Sequence, residues 1–382
     1  MKVVDRMRDL CRGLLAAGLT ALILFTSNAL ARPGPSGWPD QTQTYHYRLK
    51  GKVRLLIFWV GKDDVGGGHI SLRRLCKEQT VSCSEQVEVL FGSKPERVPG
   101  KINRWGYGSE QAEWEDFSGH GRALRKSVFR GFMRSSKEDS LKQVRSNDNQ
   151  EKSKKLFSYD STESTVLPDR AFSDKRIFST AEEFDYRDTD RLQSVFQLQE
   201  QSGVLPDKHK EIHNEKALYA APYGFLTAVH ELVRRVSAAY QSGSRKWTRK
   251  RESLIYMFNA EPYRLSVRDI DYHKKFRVRM KSADKHKDLK LPVRHIAEVD
   301  FRVEKLGKGG HHDFSIWFPL EGPFQAVPLR IEDKPRWWLR LELNVEPRGE
   351  LETWLKEQAS PPQRSVGKRP SDAARRTSDT GS

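Results

Sequence analysis

Residues 336–343 read RWWLRLEL, and the fold of the second half of the chain turns on how they are read. In a strand, side chains alternate between faces, which puts Trp337, Leu339, Leu341 and Leu343 on one side and Arg336, Trp338, Arg340 and Glu342 on the other. The same alternation recurs upstream from Leu254, Tyr256 and Phe258 onward. It makes seven runs, separated by turn-rich segments such as KSADKHKD, GKGGHHD and LEGPFQ. Short alternating runs between turn signals predict an antiparallel meander with one dry face.

Strand patterns also occupy residues 44–104. Tyr45, Tyr47 and Leu49 alternate with polar neighbours. VRLLIFWV (Val53 to Val60) is a continuous apolar run, which predicts one strand buried on both faces. Gly66, Gly67 and Gly68 predict a turn or bulge and match no phosphate-binding glycine motif. Cys76 and Cys83 bracket KEQTVS between two further strand patterns, so they are expected to staple neighbouring antiparallel strands as a disulfide.

Residues 105–245 are expected to form a helical insertion. Leu124, Val128, Phe129, Phe132 and Met133 fall on one helical face, and Ser135 to Glu138 has capping-box spacing. Residues 145–178 show no sustained period and predict an irregular connection. A short helix follows around Thr189 to Gln201, and then the clearest helix, Pro222 to Gln241. The predicted fold is α+β, mainly β: an antiparallel meander (residues 44–104 and 246–346) forming a barrel or strongly curved sheet, with a helical insertion. Residues 32–43 read as a linker and 347–382 as a mostly disordered tail.

The chain opens with a basic stretch, an apolar run from Leu14 to Phe25, and Ala29-Leu30-Ala31. This is the pattern of a secretory signal peptide (1–31) cleaved after Ala31, so a secreted or periplasmic location is expected. Removing those residues, with four basic and two acidic side chains, lowers the net charge from +17 to +15. Such a balance fits an anionic polysaccharide or membrane surface as a neighbour, while specific nucleic-acid binding is not expected.

The candidate sites are few. His230-Glu231 lacks the second histidine of a zinc-protease helix, because position 234 is arginine, and reads as helix surface. His311, His312 and Asp313 are the weak candidates for a metal, but neighbours in a strand point to opposite faces, and no metal or other cofactor is expected. Ser109, Ser118 and the Asp63-Asp64 pair have no catalytic spacing. What remains is an Arg/Trp face: Arg336, Trp338 and Arg340, with Trp317 and Arg330 sharing their parity on neighbouring strands. It is expected either to bind ligand or to dock the insertion's helix.

The order of a tryptophan-bearing strand (Phe314 to Phe318), the Pro328-Leu329-Arg330-Ile331 strand and a leucine-rich closing strand resembles the end of a secreted and periplasmic bacterial family of unknown function. That resemblance implies a barrel-like antiparallel sheet and carries no catalytic residues. The expected function is an extracytoplasmic binding or carrier protein for an apolar or amphipathic envelope molecule or a protein partner. The alternatives are a binder of anionic polymer through the Arg/Trp face and an envelope hydrolase.

Overall fold

In the computed structural model the N-terminal and C-terminal strand runs join through their outermost members. The strands are β1 (Thr42–Leu55), β2 (Phe58–Cys76), β3 (Ser82–Ser93), β4 (Trp105–Phe117), β5 (Gly121–Arg134), β6 (Leu141–Arg145), β7 (Glu151–Lys155), β8 (Phe157–Val166), β9 (Ala171–Thr180), β10 (Lys208–Ile212), β11 (Ser253–Phe258), β12 (Glu261–His273), β13 (Phe276–Met280), β14 (Leu289–Val293), β15 (Ile296–Lys305), β16 (His311–Pro319), β17 (Arg330–Arg336) and β18 (Leu339–Glu346). Two α-helices, α1 (Phe225–Gln241) and α2 (Gly349–Ala359), and a 3-10 turn at Pro95–Arg97 complete the described elements. The described residues run from 42 to 359 except 56–57, 77–81, 99–102, 118–120, 135–140, 146–150, 156, 181–182, 189–207, 213–222, 244–251, 281–288, 308 and 337–338. The expected signal peptide, the capping-box segment and the helix at 189–201 lie outside them.

Fourteen strands form one antiparallel sheet in the order β10-β9-β8-β5-β4-β3-β2-β1-β18-β17-β16-β15-β12-β11. The first and last strands meet in its middle, with Tyr47 opposite Val345 and Leu49 opposite Leu343. Both halves are therefore meanders that grow outward from one seam. The hairpins β6–β7 and β13–β14 stand apart from the sheet's pairing.

The alternating apolar residues form one dry face, and α1 lies against it. Every residue of α1 from Phe225 to Val233 is buried, and the helix shares a core with β1–β3 on one side and β11, β12 and β15–β18 on the other. A helix buried all round its first half is lodged within a concavity rather than laid on a surface. The two ends of the sheet approach each other around it. Lys210 on β10 lies 3.0 Å from Glu261 on β12, and Met257 on β11 packs with Val166 and Ala171 of the β8–β9 hairpin. Among the described residues β10 and β11 share no main-chain pairing, and no closed barrel is found.

Several expectations are corrected. Residues 105–117 and 121–134 are the strands β4 and β5, not helix, and β7 to β9 fill most of 145–178. The helical spacing at 124–133 arose because β5 buries residues on both faces: Leu124 and Phe129 inward, Phe132 outward. Outward, Phe132 joins Trp105, Phe157 and Tyr159 in a second aromatic cluster on the convex side, covered by Phe184 and Tyr186. Trp105 Nε1 and Asn103 Nδ2 both donate to Phe184 O, at 2.8 and 3.1 Å, and Tyr159 OH accepts the Phe184 N–H.

Val53 to Val60 is not one buried strand. Val53 pairs with Val60 and Leu55 with Phe58, so the run folds back as the end of the β1–β2 hairpin, and Val53 and Val60 are exposed. Gly66 to Gly68 lie within β2 rather than in a turn. A Cβ at Gly68 would overlap Leu90 O, and one at Gly66 would overlap Gly92 O, so glycine serves close strand approach here. Residues 349–359, expected within the disordered tail, instead form α2, which packs Leu351 and Leu355 into the core; residues 360–382 lie outside the described residues.

Candidate functional site

The concave interior is anchored by one carboxylate. Glu110 on β4 points inward, 1 % exposed, where the alternating pattern otherwise places apolar residues. Its Oε2 accepts the Leu226 N–H at 2.8 Å, while Oε1 accepts the Thr227 N–H at 3.2 Å, the Ser127 hydroxyl at 2.9 Å and the Thr227 hydroxyl. The first amides of a helix have no partner within it, and a carboxylate there also meets the positive end of the helix dipole. Burial nevertheless pushes the carboxyl above the ordinary carboxylate range, outweighing these four donors. Gly224 is the N-cap residue, and a Cβ there would overlap Glu110 Oε1. No sequence pattern marks this arrangement, because strand and helix lie more than 100 residues apart, as the Glu110–Leu226 separation of 116 shows.

His230 and Glu231 are buried on α1, not helix surface as expected. Arg234 and Arg235 each hydrogen-bond Glu231 at 2.8 Å, which lets its carboxylate stay well paired in the interior.

The Arg/Trp face is real in parity but closed in fact. Trp317 is 6 % exposed and stacks with Phe276 of β13, and Arg330, opposite Trp317 in register, lies against both rings at 5.5 and 4.8 Å. The β13–β14 hairpin covers this patch, and α1 docks on the opposite side of the sheet. Burial lowers the pKa of the Arg330 guanidinium, which also donates to Asn344 Oδ1 at 2.9 Å. Arg340 hydrogen-bonds Glu332 and lies 3.3 Å from Glu342, and Lys52 and Lys334 close the same network. The charges on this face are thus spent on one another. Arg336 pairs in register with Leu339, leaving Trp337 and Trp338 as the two residues between β17 and β18. The expectations that Trp337 enters the core and that Arg336 and Trp338 face away fall on side chains outside the described residues.

His311, His312 and Asp313 do not converge. His311 and Asp313 share one face of β16, where Arg302 donates to both oxygens of Asp313 at 2.8 and 2.9 Å and Arg268 adds a third contact. His312 turns to the other face, with Nε2 2.8 Å from Asp333 Oδ1. Asp333 is 1 % exposed; burial raises its pKa despite the histidine. Burial opposes the charge on His312, yet Asp333 and Asp313 carry its pKa above the ordinary value. Among the described residues no group of three or more metal-ligating side chains occurs.

Cys76 and Cys83 face each other directly in the β2–β3 register. Compared with known families, curated proteins and solved structures, the chain matches none. Among the described residues no helix is long and apolar enough to cross a membrane.

Proposed function

We propose that the chain is a secreted or periplasmic β-rich binding protein that meets an envelope lipid or protein partner on the outside of its sheet. The observation that carries this reading is α1: the concavity that would hold an apolar cargo is filled by the helix, whose Val229, Leu232, Val233 and Val236 are fully buried. A barrel whose interior is packed with side chains is an interaction module rather than a container. The side-chain contacts between Lys210 and Glu261 and around Met257 favour a barrel-like arrangement of the sheet's ends, which agrees with the family resemblance.

The polymer-binding alternative through Arg330, Arg340 and Trp317 loses support, since those side chains already satisfy one another. The hydrolase alternative keeps only the His312–Asp333 pair, whose histidine makes no hydrogen bond to a serine, threonine or cysteine among the described residues.

Native mass spectrometry of protein purified from its own envelope tests the reading. A single mass equal to the bare chain is expected. A stoichiometric lipid or other small molecule retained in every preparation would contradict it and restore the carrier.

A further inference from the structure

The β13–β14 hairpin turns one side to the sheet and the other to solvent. Along β13 the exposure alternates: Phe276 and Val278 pack with Trp317 and the core, while Lys275, Arg277 and Arg279 are exposed. On the returning strand Leu291 and Val293 join the same core, and Arg294, next after the Phe276–Val293 pair, is exposed. The outer side therefore carries Lys275, Arg277, Arg279 and Arg294, with exposed Lys274 at the foot of the hairpin. Residues 273–280 and 289–295 contain no acid.

Under the hairpin, basic side chains are taken up by acids, as Arg340 is by Glu332 and Arg48 by Glu346. On its outer side only Arg279 is, by Asp63 of β2 at 3.1 Å. Lys274, Lys275, Arg277 and Arg294 have no acidic partner among the described residues. Strand positions two apart lie about 6.6 Å from each other, inside the Debye length of about 8 Å at physiological ionic strength. The repulsion between these cations is therefore felt, and no described acid relieves it at Lys275 or Arg277. An aromatic side chain stands at the foot of the same row. Tyr272, two residues before Lys274, is 40 % exposed and packs on Tyr240 of α1 with ring centroids 5.5 Å apart. Tyr240 OH in turn shares a 2.9 Å hydrogen bond with Nδ1 of His295, the residue after Arg294.

We propose that the outer side of the β13–β14 hairpin binds a linear acidic polysaccharide, whose anionic groups meet Lys274, Lys275, Arg277 and Arg294 while a sugar ring lies on Tyr272. Charge complementarity names a polyanion, and cations repeated along a strand fit a chain of repeating charges rather than one small anion. A surface that enters a bilayer interface presents a wide apolar face, whereas this side offers only Tyr272 and Pro292, the latter opposite Arg277. Single-stranded nucleic acid is held by several aromatic side chains on which successive bases stack, and one tyrosine serves one ring. The hairpin's outer side is on the exterior, so this binding is independent of what fills the concavity.

The test uses the full chain, with heparin as the probe. Affinity is measured over a range of salt for the wild type and for a triple variant, Lys275→Gln with Arg277→Gln and Arg294→Gln. A control variant loses the same charge elsewhere, through Lys62→Gln, Arg170→Gln and Arg176→Gln, and each protein is checked for an unaltered thermal transition. The wild type is expected to bind heparin and not neutral dextran, with an affinity that falls steeply as salt rises. The hairpin variant is expected to bind about tenfold more weakly or worse, with a salt slope lower by about three, near one for each cation removed, while the control stays within about threefold. Tyr272→Ala is expected to weaken binding severalfold and leave the slope unchanged; an unaltered affinity would overturn the sugar contact. In unsubstituted protein, bound heparin is expected to shield Lys274 and Lys275 from acetylation more than Lys62, which tests the site without any variant. Equal losses in the hairpin and control variants, or no shielding at the hairpin, would overturn the proposal and assign the attraction to overall charge. So would phosphatidylglycerol vesicles or a single-stranded oligonucleotide bound more tightly than heparin through the same residues, since the partner would then be a membrane or a nucleic acid.

Discussion

Glu110 on β4 and Leu226 at the first turn of α1 are joined by a 2.8 Å hydrogen bond across 116 residues of sequence. This bond ties the plug helix to the strand it faces. Glu110→Ala would strand two helix amides and two hydroxyls in the interior and is expected to destabilise the fold by about 2–4 kcal/mol. Thermal or denaturant unfolding measures it; a change under about 0.5 kcal/mol would contradict the anchoring role.

The same carboxyl predicts a pH dependence. Burial holds its folded pKa above the ordinary 4.5, so its stabilising form is the protonated one, fully effective below about 4.5 and lost as pH rises through the folded value. Glu110→Gln cannot ionise. Its stability relative to wild type is therefore expected to improve as pH is raised from 4 toward 7, which melting curves across that range would follow.

His312 and Asp333 give a second pH signature of the same sign at higher pH. The folded pKa of His312 is raised above 6.5, so its contribution is complete below that value and lost as pH climbs through the folded one. His312→Ala leaves Asp333 buried without its partner and is expected to destabilise by about 3 kcal/mol at pH 6, less at pH 9. A penalty that does not shrink with pH would mean the histidine is neutral in the fold.

The facing cysteines predict a covalent staple. Cys76 opposite Cys83 across β2 and β3 is expected to resist alkylation, in protein folded under oxidising conditions, until a reductant is added. Replacing both with serine is expected to cost about 2 kcal/mol, for a loop this short. Rapid alkylation without reductant would show free thiols.

The convex aromatic cluster predicts a core-like cost outside the main core. Phe184 fills the space over Trp105 and Tyr159, and Phe184→Ala is expected to destabilise by about 3–4 kcal/mol. A surface-like effect under about 1 kcal/mol would mean that the 183–188 segment is loosely held.

The second-half strands were legible because their apolar residues, such as Phe314, Ile316 and Phe318, alternate with polar or charged neighbours at most positions, so the period of two survives in the sequence even where the other face is also covered. β4 and β5 were not, because the concave core and the convex aromatic cluster use opposite faces of the same strand. Phe129 and Phe132 then stand three apart, as they would on a helix. The return of β1 into β2 was hidden for a different reason: Val53 to Val60 holds no Gly, Asn, Asp or Pro by which a turn announces itself. Parity correctly separated Arg340 and Glu342 from Leu341 and Leu343, but it could not foresee that β13–β14 would cover Trp317. Glu110 was invisible for want of any local signal: a glutamate between apolar strand positions reads as exposed until the helix that needs it is in place.

Hydrogen exchange of the α1 amides tests the filled concavity most directly. If α1 is a structural plug, the amides from Val229 to Tyr240 exchange as slowly as those of β15 and β16 beside it, through global unfolding alone. If they exchange orders of magnitude faster while the sheet stays protected, the helix leaves the concavity readily. The interior would then be a gated pocket rather than a packed core.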